Sequence, residues 1–353
     1  MSARRWRPDP HLDRLSGIYL WIAFIIIFGV ASPHVFLTEA TAQQIASAQA
    51  INGIIALALL VPLVSGQYDL SVGANANLTA IIAIVLQSER HWPVVPSIAV
   101  AILVGAAIGL INGFVVVKLR VSSFIATLGT GSIIAAGQEI VSSSQQPAPP
   151  ISSGWLKLTQ IQVGGFQIVV VYLVVLSFIA WWFLDHTPAG RYLYAIGGNV
   201  DAARLSGVRT SRWIWTSLII SGTVAGVAGV LFASLSGPSL GFGQTLLLPA
   251  FAAAFLGSTQ LSPGRFNVWG TLLAIFVLAT GATGLQLLSG AQWVSDLFNG
   301  LALIGAVALA VNRQSRVARR KEDADAARGD PAASADHDRL DLAVQTPGSQ
   351  PDG

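Results

Sequence analysis

The sequence predicts an all-α membrane bundle of about ten transmembrane helices, and three observations carry that prediction. First, 53% of the 353 residues are apolar and only 10% are charged, where an ordinary soluble domain has about 25% charged residues. Second, residues 213–311 contain only Arg265 and Asp296 as charged side chains, so no water-facing surface can be built from that stretch. Third, the basic residues sort to one side of the membrane when apolar runs are treated as alternating spans. With the N-terminus inside, 18 of the 20 Lys and Arg residues fall inside, and only Arg90 and Lys157 fall outside. That is the positive-inside asymmetry of a polytopic protein.

A span needs about 20 apolar residues. Runs that meet or approach this lie near residues 15–31, 46–64, 70–87, 94–117, 121–140, 166–184, 213–235, 245–257, 268–288 and 293–311. Arg4, Arg5 and Arg7 precede the first run and resemble a signal-peptide n-region. The run lacks a small-x-small cleavage site, so it is read as an uncleaved first helix rather than a removed signal. The third, fifth and eighth runs are short or broken by Gly, Asn, Ser or Thr. Backbone at membrane depth must satisfy its own polar groups, so these three should be buried among other helices or line a cavity. Trp21, Trp92, Trp181, Trp182, Trp213, Trp215 and Trp293 fall near run ends, as an aromatic belt requires. The chain then divides into an inside tail over 1–14, a membrane domain over 15–311 and an inside tail over 312–353.

The connections differ in character. The outside segment 142–165 is rich in Ser, Gln, Pro and Gly and long for a bare connection. It is either a docking rim for an external partner or a solvated loop. The inside segment 185–212 carries a helix signature. Asn199 is an N-cap, Asp201 lies in the first turn and Gly207 stands at C′, which defines a helix over 200–206. Two turns are unstable alone in water, so this helix must pack on the protein's own helix ends or on a partner. The tail begins with Arg313, Arg316, Arg319, Arg320 and Lys321, which would sit at the anionic leaflet of the lipid membrane. Its remainder has the composition of a disordered segment.

Internal symmetry is visible too. Span four into five, from Gly109, and span nine into ten, from Gly281, both place glycines late in one helix, followed by a short connection and an apolar run. The offset of five spans is odd, so the halves would be inverted, a common transporter plan. Gly105, Gly109 and Gly113, and likewise Gly222 and Gly226, put small residues on one helix face and allow close helix packing.

No phosphate-binding loop, HExxH or GxSxG motif is present, and no histidine cluster suggests a metal site. The absence of cysteine excludes disulfides, thiolate metal sites and Fe–S clusters. The chain is therefore read as neither an ATPase nor an enzyme, with no cofactor and no nucleic-acid partner. The residues left inside the spans are mostly neutral and polar. Gln49 and Asn52 share a face, and Asn75, Asn77, Asn112, Thr127, Gln286 and Asn299 follow. Uncharged amides and hydroxyls suit a neutral, hydroxyl-rich solute, and interhelical hydrogen bonding is the competing role. Acids within the spans are too few for a proton relay: Asp69, and Glu139 and Asp296 near outer span ends where exposure would explain them.

At Gly66-Gln-Tyr-Asp-Leu-Ser-Val-Gly73 the chain resembles the GxDLSVG signature of ribose-type permeases of bacterial ABC importers, carried here by Asp69, Leu70, Ser71 and Gly73. Ser123-Phe-Ile-Ala-Thr-Leu-Gly129 resembles that family's PFIATL segment. Gly190 through Asn199, followed by Ala202 through Gly207, resembles its main cytoplasmic loop, and Leu256 through Arg265 a later Gly-rich segment. Departures are Gln67 and Tyr68 where Gly-Ile is frequent, Ser123 where Pro is usual, and Pro263 where Gly is frequent.

The resemblance implies two permease subunits, a homodimer or a pair of paralogues, joined to two cytoplasmic ATP-binding cassette subunits. An extracytoplasmic sugar-binding protein would deliver a monosaccharide across the bacterial inner membrane. It also implies that Asn199, Asp201, Ala202, Arg204, Leu205, Gly207 and Arg209 form the ATPase-coupling loop. Alternatives are a permease for branched-chain amino acids or nucleosides, and an ion-coupled secondary transporter.

Overall fold

In the structure, a computed structural model, residues 15–150 and 152–309 are described. The expectations for the tails 1–14 and 312–353 lie outside the described residues. All ten predicted spans are helices. In order they are α1 (Ser16–Ala31), followed by the single turn α2 (Pro33–Phe36), then α3 (Glu39–Val64), α4 (Val72–Ser88), α5 (Val94–Val117) and α6 (Ser123–Ser142). After the short α7 (Ser153–Gln160) come α8 (Ile168–His186), α9 (Pro188–Gly198), α10 (Val200–Leu205), α11 (Thr210–Ser236), α12 (Phe242–Gly257), α13 (Val268–Ser289) and α14 (Trp293–Leu309). Six of these are long and apolar enough to cross a membrane, and α1, α4, α12 and α14 are shorter apolar helices.

Two long helices organise the bundle. α3 is buried on every side from Ala50 to Val64, as its all-round apolar sequence demands. It starts seven residues before the apolar run because the Thr38 hydroxyl caps it, accepting from Thr41 N at 3.2 Å. α11 packs on α3, α4 and α5, while α3 packs on α11, α12 and α13. α3 also packs on α8. The broken spans α4 and α12 cross at Gly73 and Gly243, where a Cβ on either residue would overlap the other's backbone carbonyl. Small residues serve the same end between α5 and α11, where a Cβ on Gly105 would lie 2.6 Å from Gly222 O.

Of the three broken spans, α4 is buried along almost its whole length and α12 along its second half. α6 differs from the expectation. It rests mainly on α4 and α5, and its other face, with Phe124, Ile125, Leu128, Ile133 and Ile140, is exposed. Its glycines at 129 and 137 have nothing within 4 Å of an added Cβ. The interruptions that suggested burial therefore lie on or beside a face that this chain does not cover.

The segment 142–165 is more structured than a bare loop. In α7, Trp155 is buried, and its carbonyl accepts from Ser234 Oγ of α11 at 2.7 Å. A two-strand hairpin follows, β1 (Gln162–Val163) and β2 (Phe166–Gln167). Its tight turn has positive φ at both Gly164 and Gly165, the conformation that matches strand twist. At the other end of the bundle, Thr187 and Pro188 start α9, and Asn199 caps α10, accepting from Ala202 N at 2.9 Å. The predicted helix over 200–206 is thus found one residue shorter.

Candidate functional site

The segment Ser65–Ser71 joins α3 to α4 without helical structure. Buried non-helical backbone needs partners for its N–H groups, and here side chains of neighbouring helices supply them. Ser123 Oγ accepts from Tyr68 N at 3.0 Å, and Thr127 Oγ1 accepts from Leu70 N at 2.9 Å, both from α6. Asp69 is 1% exposed. Its Oδ1 accepts from Ser71 N at 3.1 Å and Ser71 Oγ at 2.6 Å, and its Oδ2 accepts from Ser221 Oγ of α11 at 2.7 Å. Asn112 Nδ2 of α5 donates to Ser71 Oγ at 2.8 Å. One seven-residue turn thereby ties α5, α6 and α11 to the start of α4.

Two departures from the family pattern, Tyr68 and Ser123, meet here. Tyr68 stands against Phe124, ring centroids 6.5 Å apart, and its N–H is capped by Ser123. A proline at 123 would offer no side-chain acceptor.

The other sequence-named residues do not gather in one place. Asn75 Nδ2 bridges α5 and α11 through Gly105 O (3.3 Å) and Gly222 O (3.2 Å). Asn77 Nδ2 donates to Gln138 Oε1 and to Leu240 O (2.6 Å) in the link between α11 and α12. Asn52 Nδ2 donates to Gln49 Oε1 at 3.0 Å on α3. Gln286 pairs with Gln292 at 3.3 Å across the turn between α13 and α14, and Asn299 is half-buried on α14. Ser123 stands out in the sequence as a departure and Gln138 as a polar residue within a span, but Ser221 and the Leu240 carbonyl, which complete these networks, were not singled out. Isolated serines and a backbone carbonyl have no spacing signature.

A second region surrounds α10. Leu205 is 87% exposed, Val200 is also exposed, and Ala203 is the buried residue that seats the helix. Asp201 and Arg204 pair at 3.0 Å on its exposed face, where such a pair contributes little to stability. Ala202, Gly207 and Arg209 are exposed as well.

Just before α10, Gly197 lies against the end of α3: a Cβ there would overlap Val64 O and approach Gly66 N at 3.4 Å. Gly66 takes φ +73° in the same turn that carries Asp69. The helix α9 is held from its other side by a clasp. Tyr194 Oη donates to Phe266 O at 2.6 Å, the Arg265 guanidinium lies 3.6 Å from the Tyr194 ring centre, and Arg265 pairs with Asp185 at 3.0 Å. Burial pushes the Tyr194 phenol up to about 12; the Arg265 charge opposes this and Asp185 adds to it. The phenol is therefore a neutral donor. Close contacts thus run from the end of α9, through Gly197 and the 65–71 turn, to the first turns of α6.

Known proteins are similar to this chain over most of its length. The ribose import permease protein RbsC of Escherichia coli K12 is 30% identical over 316 residues, covering 87% of this chain and 96% of the relative. The D-allose transport system permease protein AlsC of the same strain is 29% identical over 300 residues, 84% of this chain and 91% of the relative. The fructose import permease protein FrcC of Rhizobium meliloti is 30% identical over 294 residues, 81% of each chain. The family model described as "Branched-chain amino acid transport system / permease component" matches residues 41–307, from the second span into the tenth. With that match over most of the bundle, the chain belongs to the family of branched-chain amino acid transport system permease components.

Proposed function

We propose that this chain is the membrane permease subunit of a bacterial ABC importer for a monosaccharide. A binding protein outside the inner membrane delivers the sugar, and separate ATP-binding cassette subunits supply the energy. The observation that carries the reading is α10. A two-turn helix with Leu205 and Val200 exposed is not held by its own contacts alone, and it has the apolar anchor that a groove on a partner would take.

On this reading the α10 end is cytoplasmic, as are both termini, and Leu205 enters the ATPase groove. Asp201, Arg204 and Arg209 orient the contact, with Asn199 and Gly207 shaping the helix ends and Ala202 allowing close approach. Movement of α10 on ATP binding is passed through Gly197 to the Ser65–Ser71 turn and on to α6. The uncovered face of α6 meets a second permease, identical or paralogous, and the pathway runs between them. Of the residues expected to line it, Thr127 is buried in hydrogen bonds, while Asn52, Asn75, Asn77 and Asn112 are buried with Nδ2 bonded and Oδ1 without a partner among the described residues. Gln49, Gln286 and Asn299 keep half-exposed side chains and are the ones a solute meets most readily. The relatives' names favour a sugar, and the family description keeps branched-chain amino acids as a second reading.

The test is uptake into vesicles holding the complete importer, with D-ribose, D-allose, D-fructose and L-leucine offered in turn. ATP-dependent, binding-protein-dependent uptake of one sugar is the expected result. Uptake driven by an ion gradient without ATP or binding protein would overturn the proposal. The triple change Asp201→Ala, Arg204→Ala and Arg209→Ala should abolish uptake while membrane insertion is kept; wild-type uptake would remove α10 as the coupling element.

A further inference from the structure

At the end of the bundle opposite α10, a cleft of about 550 Å³ opens between the end of α4, the start of α5 and the segment before α7. That volume lies within the range of small-molecule sites, which run from about 300 to 1,000 Å³. The main chain builds it deliberately. α4 ends at Ser88, and His91 adopts a left-handed conformation with φ +55°, which turns the chain back over the helix end. Trp92 N then donates to Leu86 O at 2.8 Å. This hydrogen bond anchors the backbone of Trp92, whose residue stays 45% exposed. Pro93 begins the next helix, and Pro149 and Pro150 form the facing wall with Ala148.

The lining chemistry is specific. Gln87 lies in the lining and is 9% exposed. Its Nε2 donates to Ala83 O at 2.9 Å, and its buried Oε1 has no hydrogen-bond partner among the described residues. A buried acceptor left unmade is costly, and this one lies behind the cleft surface, so a donor in the cleft reaches it once the Gln87 amide turns outward. Ser88, His91 and Ser152 add further hydrogen-bonding groups, and none of the ten lining residues is Asp, Glu, Lys or Arg. The ammonium group of an amino acid zwitterion would find no carboxylate here, and His91 is the one lining side chain that could face an anion. A neutral polyol would find an indole for its C–H face and hydrogen-bonding groups for its hydroxyls.

We propose that this cleft is a sugar-binding subsite on the permease itself, where a monosaccharide released at the outer face is first received. The inference rests on the sugar reading above and adds a place for the sugar outside the α6 pathway. Binding there must be weak, because a receiving site that matched the binding protein's affinity would hold the sugar rather than pass it on.

The test uses the permease–ATPase complex in lipid nanodiscs without the binding protein, probed by saturation-transfer NMR with D-ribose, D-allose, D-fructose and L-leucine. The sugar that the complete importer transports should give saturation transfer to the wild type and to Trp92→Phe, which keeps an aromatic face. The signal should fall about tenfold in Trp92→Ala and in Gln87→Leu, the loss expected for one stacked ring or one hydrogen bond. L-leucine should give none. Transport of a sugar with no saturation transfer to the wild type, or with a signal unchanged in both variants, would overturn the subsite and leave the sugar reading intact. Transport of L-leucine and of no sugar would overturn both.

Discussion

Replacing Asp69 is the sharpest test of the buried turn. Its carboxylate accepts three hydrogen bonds, two from Ser71 and one from Ser221. In Asp69→Ala, the Ser71 and Ser221 hydroxyls and the Ser71 N–H lose this acceptor inside the bundle, and each orphaned donor costs about 1–3 kcal/mol. Partial rearrangement of the hydroxyls brings the expected loss to about 3–5 kcal/mol, the low end of three orphaned donors. Asp69→Asn is different. Its Oδ1 keeps both Ser71 donors, and its Nδ2 faces the Ser221 hydroxyl, which can rotate to accept. The loss should stay below about 2 kcal/mol.

Unfolding of the purified permease in mixed detergent micelles, followed by circular dichroism, separates the two values. A double change with Ser221→Ala adds a second check. Ser221 and Asp69 share one hydrogen bond, so the double variant should lose less than the sum of the singles. Equal stability of the Ala and Asn variants, or strict additivity with Ser221→Ala, would refute the account of the turn.

Ser123→Pro should be tolerated by α6, since proline suits a first helical position, yet it leaves Tyr68 N–H unpaired and should cost about 1–3 kcal/mol. Ser123→Ala should cost a similar amount in the same unfolding assay. Gly197→Ala forces a Cβ onto Val64 O and should lower stability by about 1–3 kcal/mol, and ATP-driven uptake should fall further than that loss explains. The comparison is of uptake per folded transporter. Tyr194, with its phenol raised from 10.0 to about 12, contributes stability that is fully present below pH 10 and is lost as pH rises toward 12. Tyr194→Phe should flatten the stability–pH curve over that window.

The helices were legible because their cause is local. Each span is a run of apolar residues whose composition suits lipid or a packed interior, and the run itself sets the ends to within a few residues, except where the Thr38 cap extends α3. α10 was legible for the same reason, with Asn199 and Gly207 marking its two ends. The Gly66–Gly73 motif was visible too, but not its work. Asp69 reads as a buried acid in the sequence, and only packing shows its three donors, one of them 152 positions away.

Membership of a ten-span bundle, the sorting of basic residues and the position of α10 follow from the sequence alone, because hydropathy, charge and helix caps act within a few residues. The tertiary structure decided which polar residues are ties and which remain open. Asn75 and Asn77 read alike and bridge different elements. The fifth span, broken by glycine and serine like the third, has an exposed face while the third is enclosed. A residue's partner across the bundle depends on the crossing of whole helices, and that crossing is set by long-range fit such as Gly73 against Gly243, which no local pattern records.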